Sequence, residues 1–145
     1  MTTATNHTQH NCVQSMFDTL IDINQGYDVM IERADTSVRR QLAALQNQHA
    51  RDIAEIYSHA SDAGFDLDRS GTIMGEVHKT AVKLRDLFSD IDRDALDAVV
   101  DGEENVLKRY DDAIKCLSPG DTLHNVLVAQ RTSLRAKIEK LSEAA

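Results

Sequence analysis

Between residues 96 and 117 apolar side chains recur at alternating steps of three and four, and one acid breaks the series. Glu103 stands between Val99 and Val106, with Val100, Leu107 and Tyr110 on the same face. That spacing marks a helix face turned toward a core, so a carboxylate is expected inside. His49 lies four residues from both Leu45 and Ile53, and Asp52 follows one turn on, so the two side chains can converge on one point. Gln130 falls between Leu127 and Leu134, and Tyr27 belongs to a stripe that begins at Val13. Together these residues suggest a polar layer across the middle of a helical bundle. A buried carboxylate and imidazole are costly unless they bond each other or a cation. The favoured reading is a hydrogen-bonded His49–Glu103 or Tyr–Glu network that sets helix register, since such layers occur in bundles without cofactors. The competing reading is a transition metal, with iron, manganese or zinc as the cofactor.

A di-iron carboxylate site would need Glu-x-x-His on two helices, and no such motif occurs; the nearest approach is His49-x-x-Asp52. Asp66-x-Asp68-x-Ser70-Gly71-x-Ile73 copies the first half of a calcium-binding EF-hand loop. Its closing position holds Val77, with Glu76 one residue early, so the bidentate ligand is missing and calcium is the lesser alternative. His7, His10 and Cys12 could grip a metal only if the segment had fixed geometry. Glu55 and His59, one turn apart, read as a surface pair. No phosphate-binding glycine loop, Gly-x-Ser-x-Gly elbow or His-Glu-x-x-His is present, so no catalytic residue is assigned.

The elements that must position these groups are helices. Val13, Met16, Leu20, Ile23, Tyr27, Met30 and Ala34 form the first stripe; Asp35-Thr36-Ser37 interrupts it with N-cap residues. Val38, Leu42, Leu45, Ile53, Ile56 and Ala60 form the second, ending near Gly64. After the loop 64–71, Ile73, Val77, Leu84, Leu87, Phe88 and Ile91 predict a third helix, and Asp92 an N-cap for the stripe carrying Glu103. Ser118-Pro119 reads as the N-cap and first residue of a last helix, with Leu123, Leu127, Leu134, Ile138 and Leu141 inward. The expected fold is all-α, a four-helix bundle with an additional shorter connecting helix, comprising a flexible N-terminal tail (1–10) and one bundle domain (11–145).

Composition agrees: one proline and six glycines in 145 residues leave too few turn residues for many short strands. The formal charge of -8 comes from interleaved acids and bases, which offers no surface to nucleic acid. The amino-terminal residues lack the pattern of a secretory leader and no apolar run reaches membrane-spanning length, so a cytoplasmic protein without membrane contact is expected. Cys12 and Cys116, without metal-type spacing, are expected to be reduced.

In helix one, Asp22, Gly26-Tyr27 and Glu32 follow a pattern of Asp-Gly-x-x-Gly-aromatic and a small-small-Glu run. Gly71-Thr72-Ile73-x-Gly75-x-Val77-His78-Lys79 follows Gly-Ser/Thr-x-x-Gly-x-Leu-His-Arg, and Gly102-Glu103-Glu104 through Tyr110 follows an Arg-Gly-Glu-Asp run with a later tyrosine. Through these the chain resembles the bacterial ferritin-like four-helix-bundle proteins of unknown function. It departs from them at Val100, where a Glu is usual, at Lys137-Ile138, where a His is usual, and at Ala81 in place of a Trp. If such proteins assemble a metal centre, the resemblance implies that here it would be built from Glu32, His49, Asp52 and Glu103, although Glu32 falls off the helix-one stripe. The function expected is a non-enzymatic structural or interaction module whose partner is a second copy of the chain or an unidentified protein. The alternative is a ferritin-like metal-binding protein or oxidoreductase. The role of His78 stays open.

Overall fold

The computed structural model describes residues 3–69 and 95–144. Four long helices account for nearly all of them: α1 (Thr3–Glu32), α2 (Thr36–Asp62), α3 (Leu96–Cys116) and α4 (Thr122–Ala144), with no β-strand among the described residues. The expected third helix and connecting helix, the Asp92 cap, the 71–79 signature and His78 lie outside the described residues.

The helix ends follow from local chemistry. Asp35 caps α2 in extended conformation, its side chain accepting from the Ser37 N–H. At the other end Phe65 N–H donates to the Ala60 carbonyl at 2.8 Å and Gly64 N–H to that of Ser61 at 3.1 Å. These two bonds are the Schellman pattern, which needs a residue of positive φ between them; Gly64 supplies it at 88°. The start of α4 differs from expectation. Ser118-Pro119-Gly120-Asp121 is a turn, closed by Asp121 N–H to the Ser118 carbonyl at 3.1 Å with Gly120 at φ 94°, and the helix begins only at Thr122. Proline followed by glycine suits the two central positions of a type II turn, and that preference outweighs proline's fitness for a first helical residue.

α1 packs on α2 and α3, and α4 packs on α2 and α3, so the four helices close a ring around one core. Every apolar residue expected to face inward on the described helices is buried except Ile53, which is half-buried. Full burial of side chains such as Leu127, Leu134 or Phe17 contributes about 1.5–3 kcal/mol each.

One expectation is corrected here, and the first turns of α1 are described beside it: α1 begins at Thr3. Gln9 is buried, His10 Nε2–H donates to the Asp66 carbonyl at 2.9 Å, and Gln14 bonds both backbone groups of Asp68, so this end of α1 is clamped on the segment after α2. The cysteines are not reduced: Cys12 and Cys116 form a disulfide, with Cα atoms 6.4 Å apart. Antiparallel packing of α1 and α3 brings them together, which no spacing along the chain could announce.

Candidate functional site

Each of the four helices interrupts its buried stripe with polar side chains at the same three-and-four register. α1 offers Tyr27, α2 His49 and Asp52, α3 Glu103 and Tyr110, and α4 Gln130, all buried. Because the stripe positions are those that face the ring's centre, these groups meet.

Glu103 is the hub. Its Oε1 accepts from the Tyr27 hydroxyl at 2.7 Å and from His49 Nε2–H at 2.9 Å, and Oε2 lies 3.0 Å from the same nitrogen. Since a carboxylate accepts, the His49 Nε2 carries the hydrogen, and the opposite ring nitrogen, Nδ1, is buried with no partner. The Tyr27 and His49 rings stack with centroids 6.0 Å apart. Tyr27, His49 and Glu103 are 0% exposed, so α1, α2 and α3 are joined in a place without bulk water.

A second chain of bonds runs alongside. Tyr110 donates to Gln130 Oε1 at 2.9 Å, and Gln130 Nε2–H₂ donates to Glu55 Oε1 at 3.0 Å and to the Asp52 carbonyl at 3.3 Å. Glu55 is thus a partner of Gln130, not of His59 as the spacing suggested. Asp52 accepts from the Gln48 amide at 2.8 Å through Oδ1, while its Oδ2 is buried without a partner.

The electrostatics follow from burial. Loss of solvent raises the Asp52 carboxyl above the usual carboxylate range, against the lowering effects of the Gln48 bond and of His49. Tyr27 is raised well above an ordinary phenol by burial first, then by the charge of Glu103 and the bond it donates to that group. Tyr110 is raised by burial and by the charges of Asp52 and Glu103. Neither phenol can ionise here in the physiological range, so both serve as hydrogen-bond donors.

Of the residues implied for a metal centre, the structure joins His49 and Glu103 directly and puts Asp52 one turn from His49. Glu32 is exposed at the last position of α1 and is not brought to the other three. Among the described residues no group of three or more His, Cys, Asp and Glu side chains is placed to hold a metal ion. Of the calcium-like loop, Asp66 and Asp68 are exposed and their backbones are tied to α1; the rest of that loop lies outside the described residues.

Residues 9–116 match the family described as Domain of unknown function (DUF2383). The chain belongs to this family. No curated protein and no solved structure matches it. The stretch shared with DUF2383 contains Tyr27, His49, Asp52, Glu103 and Tyr110 and both cysteines; Gln130, on α4, lies beyond it. No helix of the described residues is long and apolar enough to cross a membrane.

Sequence reasoning missed the Gln48–Asp52 and Glu55–Gln130 bonds. Gln48 and Glu55 stand just off the buried stripe, where a long side chain reaches inward without its position announcing it.

Proposed function

We propose that this DUF2383 protein is a ferritin-like four-helix bundle acting as a non-enzymatic structural or interaction module, in which the buried polar layer is a register device. The observation that carries this reading is the position of Glu103: it accepts from two buried protein donors, Tyr27 and His49, that come from two other helices. A sliding helix would leave buried polar atoms unmatched, so the layer penalises every register but one. The module's partner would be a second copy of the chain or another protein, consistent with a net charge of -8 that disfavours nucleic acid.

A second reading is metal binding, and one observation favours it. His49 Nδ1 and Asp52 Oδ2 are both buried without partners, and a histidine that gives its other N–H to a carboxylate is oriented as metal-ligating histidines are. Iron, manganese or zinc would then be held by these two atoms. They fit such an ion poorly, because two donors from one helix are half of a tetrahedral set and Glu103 is already engaged.

Elemental analysis of the untagged protein, with His49→Ala and Glu103→Ala beside it, separates the two. The structural reading expects substoichiometric metal in folded protein and a large loss of stability in both variants. Near-stoichiometric metal that vanishes in the variants would replace it with the second.

A further inference from the structure

Two buried atoms of the polar layer stand outside its protein hydrogen bonds. His49 Nδ1 and Asp52 Oδ2 have no partner among the described residues, and their residues are 0% and 4% exposed. Polar atoms buried to that extent are nearly always bonded, either to a protein group or to an internal water.

Helix geometry turns both atoms toward one place. At about 100° per residue, Asp52 lies about 40° from Gln48 and about 60° from His49 around α2, so its carboxyl stands between them one turn on. Helical side chains lean toward the amino end, which brings that carboxyl back over the turn carrying both. The Gln48 amide takes Oδ1 on one side at 2.8 Å, so Oδ2 is left to the His49 side. The imidazole directs Nε2 at Glu103 on α3, which leaves Nδ1 on the ring edge nearer α2. Cβ atoms three residues apart are about 5–6 Å from each other, yet Nδ1 and Oδ2 do not bond. One small molecule at about 2.7–3.0 Å from each atom spans that distance.

The chemistry selects the occupant. Nδ1 accepts, because Nε2 carries the ring's hydrogen. Oδ2 accepts when Asp52 is ionised and donates when it is protonated, and burial raises that carboxyl. Water meets both cases: one O–H goes to Nδ1, and either the second O–H or a lone pair serves Oδ2. A metal cation or an ammonium needs the ionised form and more acceptors than these two.

From the two unpartnered atoms, their burial and their shared side of α2, we propose that one internal water bridges His49 Nδ1 and Asp52 Oδ2. It joins the Tyr27–Glu103–His49 hub to Asp52, whose carbonyl already accepts from Gln130, the acceptor of the Tyr110 hydroxyl. The layer is then one network spanning all four helices. This deepens the register reading and rests on it.

The test is a high-resolution crystal structure of the untagged full chain, with cross-relaxation from water to the His49 Hε1 proton measured on isotope-labelled protein. One oxygen at about 2.7–3.0 Å from both atoms and a water cross-peak at Hε1 are expected. Asp52→Leu should abolish the cross-peak, and Asp52→Asn, which keeps a polar atom there, should retain it. The wild-type result decides alone if the leucine variant does not fold. No oxygen between the atoms, a protein group bonded to Nδ1, or a metal at about 2.0–2.2 Å from both would overturn the proposal. The His49 Hε2 resonance, held by Glu103, separates the two failures: if it persists without the cross-peak only the bridging water is lost, and if it is absent from wild type the register reading falls as well.

Discussion

Replacing Glu103 by alanine is the sharpest perturbation of the polar layer. The side chain accepts at 2.7, 2.9 and 3.0 Å from two donors that have no access to water. Its removal leaves the Tyr27 hydroxyl and the His49 Nε2–H buried without acceptors, each at a cost of about 1–3 kcal/mol. It also opens a void beside Val99 and Val106, so a loss of about 3–5 kcal/mol is expected, as for other buried pairs broken on one side. Against a total stability of about 5–15 kcal/mol for a domain, that is a large fraction. Glu103→Gln keeps the shape and one acceptor oxygen and should cost about 1–2 kcal/mol. The assay is urea unfolding monitored by circular dichroism, with Tyr27→Phe added to close a double-mutant cycle. The cycle should give a coupling of about 1–3 kcal/mol between Tyr27 and Glu103. If Glu103→Ala costs less than about 1 kcal/mol with an unchanged urea slope, the hub carries no register energy and the reasoning fails.

Three further outcomes follow from the same geometry. Burial raises the Asp52 carboxyl, so the folded state holds its proton at pH values where the unfolded chain has released it, and wild-type stability falls as pH rises from the unfolded value through the raised one. Asp52→Asn removes that titration; its stability relative to wild type should rise with pH and level off above the raised value, and a flat difference between pH 4 and 7 would refute the assignment. Reducing the Cys12–Cys116 disulfide, or replacing both residues by serine, frees a loop with a sequence separation of 104; the chain-entropy relation gives about 4.7 kcal/mol, readable as a lower unfolding midpoint. Gly64→Ala at φ 88° should cost about 1–2 kcal/mol through backbone strain alone, since no neighbouring atom crowds a Cβ there, and a neutral result in thermal unfolding would show that the end of α2 adapts.

Most of the helical framework was legible because burial and periodicity are the same fact seen twice. Val13 through Ala34 and Leu96 through Leu117 repeat at three and four residues since only that spacing keeps one helix face inward. The turn at Pro119-Gly120 was misread because proline alone fits either a first helical turn or the second position of a β-turn. The glycine after it decides between them by accepting a positive φ. The start of α1 shows a different limit of periodicity. Its first turns carry the polar sequence of a tail, and what fixes them is tertiary: Gln9 is buried, and His10 and Gln14 bond a backbone segment more than fifty residues away.

The site divides along the same line. That Glu103, His49 and Gln130 face inward could be read from their stripe positions, and the structure buries all three. Which of them touch is a question of the relative heights of helices, and no periodicity within one helix contains it. The heights are set by contacts between distant residues. Cys12 meets Cys116 and Tyr27 meets Glu103, so α1 and α3 are antiparallel, with 15 residues between the two contacts on one helix and 13 on the other. At 1.5 Å of rise per residue both intervals are about 20 Å, so the disulfide and the tyrosine bond enforce one and the same register. Cutting the disulfide should therefore leave the Tyr27–Glu103 coupling to hold α1 against α3. If the layer is a register device, the penalty for Glu103→Ala must be larger in the reduced protein than in the oxidised one. Equal penalties in the two redox states would mean that the two constraints act on separate parts of the fold.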